Sequence, residues 1–199
     1  MIKRTFDIVL AAIGLWILSP ILFLVALIII KEDRGRIFYR GERVGRGGRS
    51  FNVFKFRTMI VNAEKIGGPS TAEDDPRLTR IGRKIRKYKL DELPQFLNVL
   101  RGEMSFVGPR PEVPAEVATY SESERIILSV RPGITDWASL YFHDEGKILK
   151  GSANPHQTYQ EKIKPKKMQM AIRYVEQRSF LTDMKIILDT VSTLVRTRR

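Results

Sequence analysis

Residues 8–30 form an apolar run of twenty-three residues without a single charge. At about 1.5 Å per residue, a straight helix of that length reaches roughly 35 Å, enough to cross a hydrocarbon core of about 30 Å. A cleaved leader has a shorter apolar stretch and a small-residue cleavage site, and neither is present, so the run reads as a retained membrane segment. Ser19-Pro20 falls in its middle. Pro20 cannot donate to the carbonyl of Trp16, and its ring clashes with that turn, so a kink or break is expected there. The two halves, about twelve and ten residues, would each measure roughly 15–18 Å. Neither half spans alone.

The flanks bear on topology. Lys3 and Arg4 precede the run, and Lys31, Arg34, Arg36, Arg40 and Arg43 follow it. Positive residues favour the cytoplasmic side, and here both ends are positive. A re-entrant segment that dips in and returns to the same face satisfies both flanks. An ordinary spanning helix with a tolerated proline satisfies one. The run alone leaves both open.

Charge narrows the partners. A formal net charge of +13 points to polyanions: nucleic acid, an anionic membrane surface or phosphorylated substrates. There are no cysteines, which removes disulfides, thiolate metal sites and a cysteine nucleophile together. His143 and His156 lie far apart without ligand-like spacing, so a zinc site is not expected.

Past the membrane run, glycine-rich residues 31–50 are bracketed by two short strand patterns, Ile37-Phe38-Tyr39 and Phe51 to Phe56. The second alternates, with Phe51, Val53 and Lys55 on one face and Asn52, Phe54 and Phe56 on the other. Lys55 and Arg57 put two cations at its end, suited to phosphate oxygens or to guarding a strand edge. A basic amphipathic helix is expected over about 78–88. Leu78, Ile81, Ile85 and Tyr88 form its stripe, and Arg80, Arg83, Lys84, Arg86 and Lys87 line the other face. Such a helix beside a membrane anchor can lie on anionic headgroups or simply face solvent.

Next come two adjacent carboxylates, Asp91 and Glu92, in Leu90-Asp91-Glu92-Leu93-Pro94-Gln95. Pro94 is tolerated only in a first turn, so a helix is expected to start here and stop at Gly102. Acidic residues at such a position often do no more than cap the helix. Gly108-Pro109-Arg110-Pro111 then holds an arginine between two prolines, a stiff turn that could pre-aim a guanidinium. Ser121 and Glu124 are spaced as a capping box. Trp137, Tyr141, Phe142 and His143 make an aromatic patch read mainly as core. One helix is expected from about 166 to 195, striped by Met184, Ile187, Leu188, Val191, Leu194 and Val195. Phe180, Leu181, Arg196, Arg198 and Arg199 suit core docking or the membrane interface.

Taken together, in their order and spacing, these motifs resemble one family, the monotopic phosphoglycosyl transferases or bacterial sugar transferases. The resemblance covers nearly the whole chain. It rests on the Ser19-Pro20 break, Lys55-Phe56-Arg57-Thr58-Met59, Asp75-Pro76-Arg77, Leu90 to Gln95, Gly108 to Pro111, and Arg131-Pro132-Gly133-Ile134-Thr135. It implies an α/β, mostly helical fold. A re-entrant membrane helix (1–30) would precede a small cytosol-facing catalytic domain (31–199) with a short β-hairpin and interfacial helices. The implied location is the cytoplasmic face of the cell membrane.

The implied reaction moves a phosphosugar from a UDP-sugar to a polyprenol phosphate, releasing UMP, with Mg²⁺ as cofactor. By motif Asp91 is the nucleophile, and Glu92 assists at the metal or in proton handling. Arg86, Arg110 between Pro109 and Pro111, Lys55 and Arg57 would bind phosphate. The chain departs from the family after Thr135. A glycine and a polar Gln-Val-Asn-Gly-Arg run are usual there, but this chain has Asp136-Trp137-Ala138-Ser139, so the sugar is left unnamed. The rival readings are a membrane-tethered nucleic-acid binder and a non-catalytic scaffold. No helix-turn-helix, RNP-type or zinc-finger pattern supports the first. The second requires function to survive Asp91→Asn. Nucleic acid is therefore not an expected partner, and oligomeric state is not legible.

Overall fold

The computed structural model describes residues 2–63, 66–68 and 70–196. Arg198 and Arg199 lie outside them. The first helix, α1 (Ile2–Asp33), carries Pro20 in its interior and continues through it. The expected break is therefore not a gap between two helices. The cause is local: the Ser19 hydroxyl donates to Trp16 O at 2.8 Å, filling the acceptor that Pro20 leaves empty.

The two halves of α1 pack on different parts of the body. Ala11, fully buried, belongs to the main core with Val53, Val99, Met104, Val107, Tyr174 and Ile186. Val25 and Ile29 join a second cluster with Phe56 and Ile85. At Gly14 an added Cβ would lie 2.6 Å from the Phe96 ring, so the helix approaches closely there because this residue is glycine. The remaining surface is bare, with Trp16 at 80% exposure and Phe23 at 66%.

Strands β1 (Phe38–Val44) and β2 (Ser50–Phe56) form the expected antiparallel hairpin, with Gly41 opposite Val53. Phe51 and Val53 face the main core, and Phe56 faces α1 on the opposite side. Phe54 is covered by the guanidinium groups of Arg40 and Arg101, 5.0 and 4.7 Å from its ring centre. Helix α2 (Arg80–Lys87) is capped by Thr79, whose hydroxyl accepts from Gly82 N at 2.8 Å. Ile81 and Ile85 of its stripe pack against α1. A 3₁₀ turn, Leu90–Gln95, leads into α3 (Phe96–Arg101), which ends at Gly102 in the left-handed region (φ 83°) as expected.

A second, two-stranded parallel pair joins β3 (Ser105–Val107) to β4 (Gly133–Thr135). It is followed by short helices α5 (Trp137–Tyr141), α6 (Glu145–Leu149) and α7 (Pro155–Thr158); α4 (Pro114–Ala118) precedes β4. The capping box forms, Ser121 N donating to Glu124 at 2.7 Å, but it opens a 3₁₀ segment, Glu124–Ser129, not an α-helix. In the aromatic patch Trp137 packs edge-on to Tyr174, while Tyr141 is 61% exposed.

The single C-terminal helix expected from the sequence is two helices, α8 (Lys164–Gln177) and α9 (Phe180–Arg196). Arg178 is extended (ψ 130°), and the Ser179 hydroxyl accepts from Thr182 N at 3.1 Å, starting a new helix. α9 buries Asp183 and Ile186. Leu181, Leu188, Val191 and Val195 stay exposed. Most of the expected stripe thus faces outward, which favours its interfacial reading over core docking.

Candidate active site

The chain leaves α2 through Lys89, a non-glycine residue held in the left-handed region (φ 55°), and this reversal turns the 3₁₀ segment inward. Asp91 is 7% exposed, and neither it nor Glu92 caps the helix that follows. Glu92 instead meets two cations. Lys55 Nζ donates to Glu92 Oε1 at 2.8 Å, and Arg110 grips the same carboxylate with both terminal nitrogens, Nη1 reaching Oε2 at 3.4 Å. Asp91 Oδ1 is buried and has no hydrogen-bond partner. Two neighbouring carboxylates therefore have opposite surroundings: one is clamped by two cations through both oxygens and the other keeps a bare oxygen.

Electrostatics widen the split. Burial, and after it the charge of Glu92, push the Asp91 carboxyl above the ordinary carboxylate range, while Lys55, Arg86 and Lys89 pull it back. Burial opposes ionisation of Glu92 as well, but Arg110 and Lys55 overcome it and hold that carboxyl well below its usual range. Glu92 in turn keeps the Arg110 guanidinium firmly charged. Burial lowers the Lys55 ammonium despite its partner. Four cations (Lys55, Arg86, Lys89, Arg110) act on two carboxylates, leaving positive charge for an anionic ligand.

Each side chain is set by backbone that can be traced. Asn98 of α3, fully buried, accepts from Phe54 N at 2.9 Å and donates to Asn52 O at 2.8 Å, locking the carboxylate segment to the strand that carries Lys55. Arg110 is delivered by the parallel pair: Gly108 N donates to Thr135 O at 3.1 Å, and Gly133 N to Pro109 O at 2.9 Å. A Cβ on Gly133 would lie 2.1 Å from Gly108 N, so glycine is required at that crossing. Pro109 and Pro111 then line a small recess with Val44 and Val130. Glu112 is fixed next to them, accepting from the Tyr159 hydroxyl at 3.0 Å, and burial raises its carboxyl.

Of the residues expected from the sequence, Asp91, Glu92, Lys55 and Arg110 come together. Arg86, half-buried in the last turn of α2, acts on Asp91 through charge. Arg57 is turned to the base of the hairpin, where Nε donates to Arg36 O at 2.6 Å and Nη1 to Met59 O at 3.3 Å. Lys89 and Asn98 were missed. Lys89 could have been weighed as one more cation in a basic run, but its left-handed backbone leaves no mark in the sequence. The divergent segment is structural at its start: Asp136 caps α5, accepting from Ser139 N at 2.7 Å, and Arg173 stacks 5.4 Å over Trp137.

Among the described residues no cluster of three histidine, cysteine or acidic side chains surrounds the site. A cation here would be held as Mg²⁺ commonly is, by one or two carboxylates plus substrate oxygens and water. The bare Oδ1 of Asp91 fits that donor set, and Glu92 Oε2, which accepts one bond, keeps a lone pair beyond those its cations use.

Comparison with known sequences identifies the lineage. The sequence profile of the bacterial sugar transferases matches residues 1–197, and the chain belongs to that family. It is 34% identical to the exopolysaccharide production protein ExoY of Sinorhizobium fredii, over 98% of this chain and 86% of that one. It is 35% identical to the UDP-N-acetylgalactosamine-undecaprenyl-phosphate N-acetylgalactosaminephosphotransferase of Aeromonas hydrophila, over 98% of this chain and 44% of the relative. It is 36% identical to the UDP-glucose:undecaprenyl-phosphate glucose-1-phosphate transferase of Escherichia coli, over 96% of this chain and 39% of the relative. The chain thus spans most of the first and less than half of the other two.

Proposed function

We propose that this protein is a Mg²⁺-dependent phosphoglycosyl transferase that moves a phosphosugar from a UDP-sugar to a polyprenol phosphate at the cytoplasmic face of the membrane. The observation that carries the reading is the pair Asp91–Glu92: a buried carboxylate with an unpartnered oxygen beside one clamped by Lys55 and Arg110. Relatives named for transfer to undecaprenyl phosphate supply the substrate class.

In this mechanism an Asp91 oxygen attacks the sugar-bearing phosphorus of the donor. A P–O bond to Asp91 forms, the bond from that phosphorus to the bridging oxygen breaks, and UMP departs. A phosphate oxygen of the polyprenol phosphate then attacks the same phosphorus, breaking the bond to Asp91 and restoring its carboxylate. Covalent catalysis of this kind divides one displacement into two and gives ping-pong kinetics. Attack by one anion on another is repulsive, and the cations around Asp91 offset that repulsion. Mg²⁺, held by Asp91 and Glu92, would neutralise diphosphate charge. Arg110, aimed by its flanking prolines and kept ionised by Glu92, would contact the phosphates, while Arg86 and Lys55 support the ionised form of Asp91.

The monotopic reading is supported by where the ends of α1 are tied. At its start Arg4 donates to Val99 O at 2.6 Å and Leu100 O at 3.1 Å, and Lys3 to Val107 O at 3.1 Å. At its end Glu32 accepts from Ile81 N at 2.9 Å. A spanning helix would hold those ends on opposite sides of a layer about 30 Å thick, yet both are bonded to the catalytic body. The exposed apolar faces of α1 and α9 would lie in the bilayer, with Asp91 at the depth of the acceptor phosphate.

The test is a panel of UDP-sugars with Mg²⁺ and a polyprenol phosphate, read as UMP release. The expected result is release with at least one donor, abolished by omitting the lipid acceptor after the first turnover. No release with any donor would overturn the reading. For topology, a cysteine at position 2 should resist impermeant labels applied outside intact cells, and labelling there would contradict the monotopic arrangement.

A further inference from the structure

A cavity of about 380 Å³ lies between the start of α1, β3 and the start of α9. It shares no charged residue with the carboxylate site; Val130 alone lines both it and the recess beside Arg110. Lys3, Arg4, Arg46, Arg131 and Arg178 line it, against two carboxylates, Asp7 and Asp183. The surplus is three positive charges. Part of this charge is committed. Lys3 pairs with Asp183, Arg4 and Arg131 each donate to carbonyls at the end of α3, and Arg178 Nη1 donates to Val175 O at 2.6 Å. Arg4, Arg131 and Arg178 retain further N–H groups beyond these bonds, because a guanidinium carries five donors. Burial, and then the charges of Arg4 and Arg46, lower the Arg131 guanidinium, so these cations repel one another.

A second observation is independent of charge. Ser105 also lines the cavity, is 1% exposed, and its hydroxyl has no hydrogen-bond partner. A buried unpaired hydroxyl is costly, and water or a ligand normally satisfies it. The first turn of α9 opens on the same space, Ser179 just before it and Phe180 at its start both lining the cavity, and brings the positive end of its dipole. A site with surplus cations, an idle hydroxyl and a helix start is built for a phosphate group.

We propose that this cavity binds the phosphate of a phosphate-bearing ligand at a site separate from the catalytic carboxylates. Two sources carry that chemistry, an anionic phospholipid headgroup and a soluble phosphate. The mouth adjoins an exposed apolar surface: Phe6, just before the apolar run, packs edge-on to Phe180 at 5.4 Å, next to the bare Leu181. An acyl chain could leave the cavity along that surface while its phosphate stays among the arginines.

The inference does not depend on the transfer reaction, and its test is direct binding by calorimetry of the full chain in a neutral detergent. The probes are dihexanoyl phosphatidylglycerol and inorganic phosphate, compared across wild type, Arg46→Gln, Ser105→Ala and Arg110→Gln. Wild type and Arg110→Gln should bind at least one probe with one-site stoichiometry. Ser105→Ala should weaken binding by about three- to tenfold, the worth of one hydrogen bond. Arg46→Gln, at an exposed position without a structural bond among those described, should weaken it by a similar factor. Because Ser105→Ala leaves the backbone bond from Ser105 N to Pro132 O untouched, that variant keeps its fold. Binding of the lipid alone assigns the headgroup, and competition by inorganic phosphate assigns a generic phosphate site. Absence of binding to both probes overturns the proposal. So does binding lost in Arg110→Gln but intact in Arg46→Gln and Ser105→Ala, since that pattern would belong to the catalytic site.

Discussion

Two arginine–carboxylate pairs in this protein differ in what they leave over. Arg77 and Asp75 are nearly buried, and their fork is closed: Arg77 Nε and Nη2 hold Asp75, Nη1 donates to Gly68 O at 3.0 Å and Ala63 O at 3.3 Å, and Nη2 reaches Ser70 O at 3.3 Å. Every direction is spent on Asp75 or on loop backbone, and Asp75 is held below its usual range chiefly by its hydrogen bonds from Arg77. Arg110 and Glu92 form an open fork. Arg110 keeps 35% side-chain exposure, Glu92 adds Lys55, and Asp91 next door keeps an idle oxygen. A closed pair builds a loop; an open pair, with unsatisfied neighbours, is equipped to meet a ligand.

Breaking each pair should separate stability from catalysis. Arg77→Gln strands a buried aspartate and three loop carbonyls, and should cost about 3–5 kcal/mol of stability, read as a lower denaturation midpoint. Arg110→Gln should lower turnover about 10²–10³-fold, the scale of losing one preorganised charged donor, and Arg110→Lys less, since lysine keeps charge but not the fork. A steady-state assay normalised to folded protein checks both. If Arg77→Gln lost turnover without losing stability, the contrast would fail.

A smaller effect sharpens the electrostatic side. Asp91 must be ionised to attack, and its carboxyl sits above the ordinary range, so turnover should rise with pH along an acid limb set by that group. Arg86 is among the charges that favour ionisation, so Arg86→Gln should move the limb to higher pH, by about one unit or less. A limb unmoved, or moved to lower pH, would remove Arg86 from the site.

Much of this was legible in the sequence because it is local. The apolar run, the hairpin alternation, the basic helix and the stop at Gly102 all follow from period and punctuation within a few residues. Asp91, Glu92, Lys55 and Arg110 were each visible as chemistry in order along the chain. What was not visible is pairing at distance. The parallel β3–β4 contact, which makes Arg131-Pro132-Gly133-Ile134-Thr135 the positional partner of Gly108-Pro109-Arg110-Pro111, joins segments too short to announce themselves as strands. The Arg178–Ser179 break lies in a stretch whose apolar period runs on across it. Of the kink or break expected at Pro20, a gap between two helices does not form, because the Ser19 hydroxyl donates to the carbonyl that Pro20 leaves without its backbone donor.

The central claim is that Asp91 carries the phosphosugar between substrates. Wild-type protein incubated with a competent UDP-sugar and Mg²⁺, without lipid acceptor, then digested and weighed by mass spectrometry, tests it most directly. The account predicts a phosphosugar mass on the peptide containing Asp91, discharged by adding polyprenol phosphate and absent from Asp91→Asn, which should also lose at least about 10³-fold in UMP release. Sustained UMP release by Asp91→Asn, or an adduct on another residue, would contradict it.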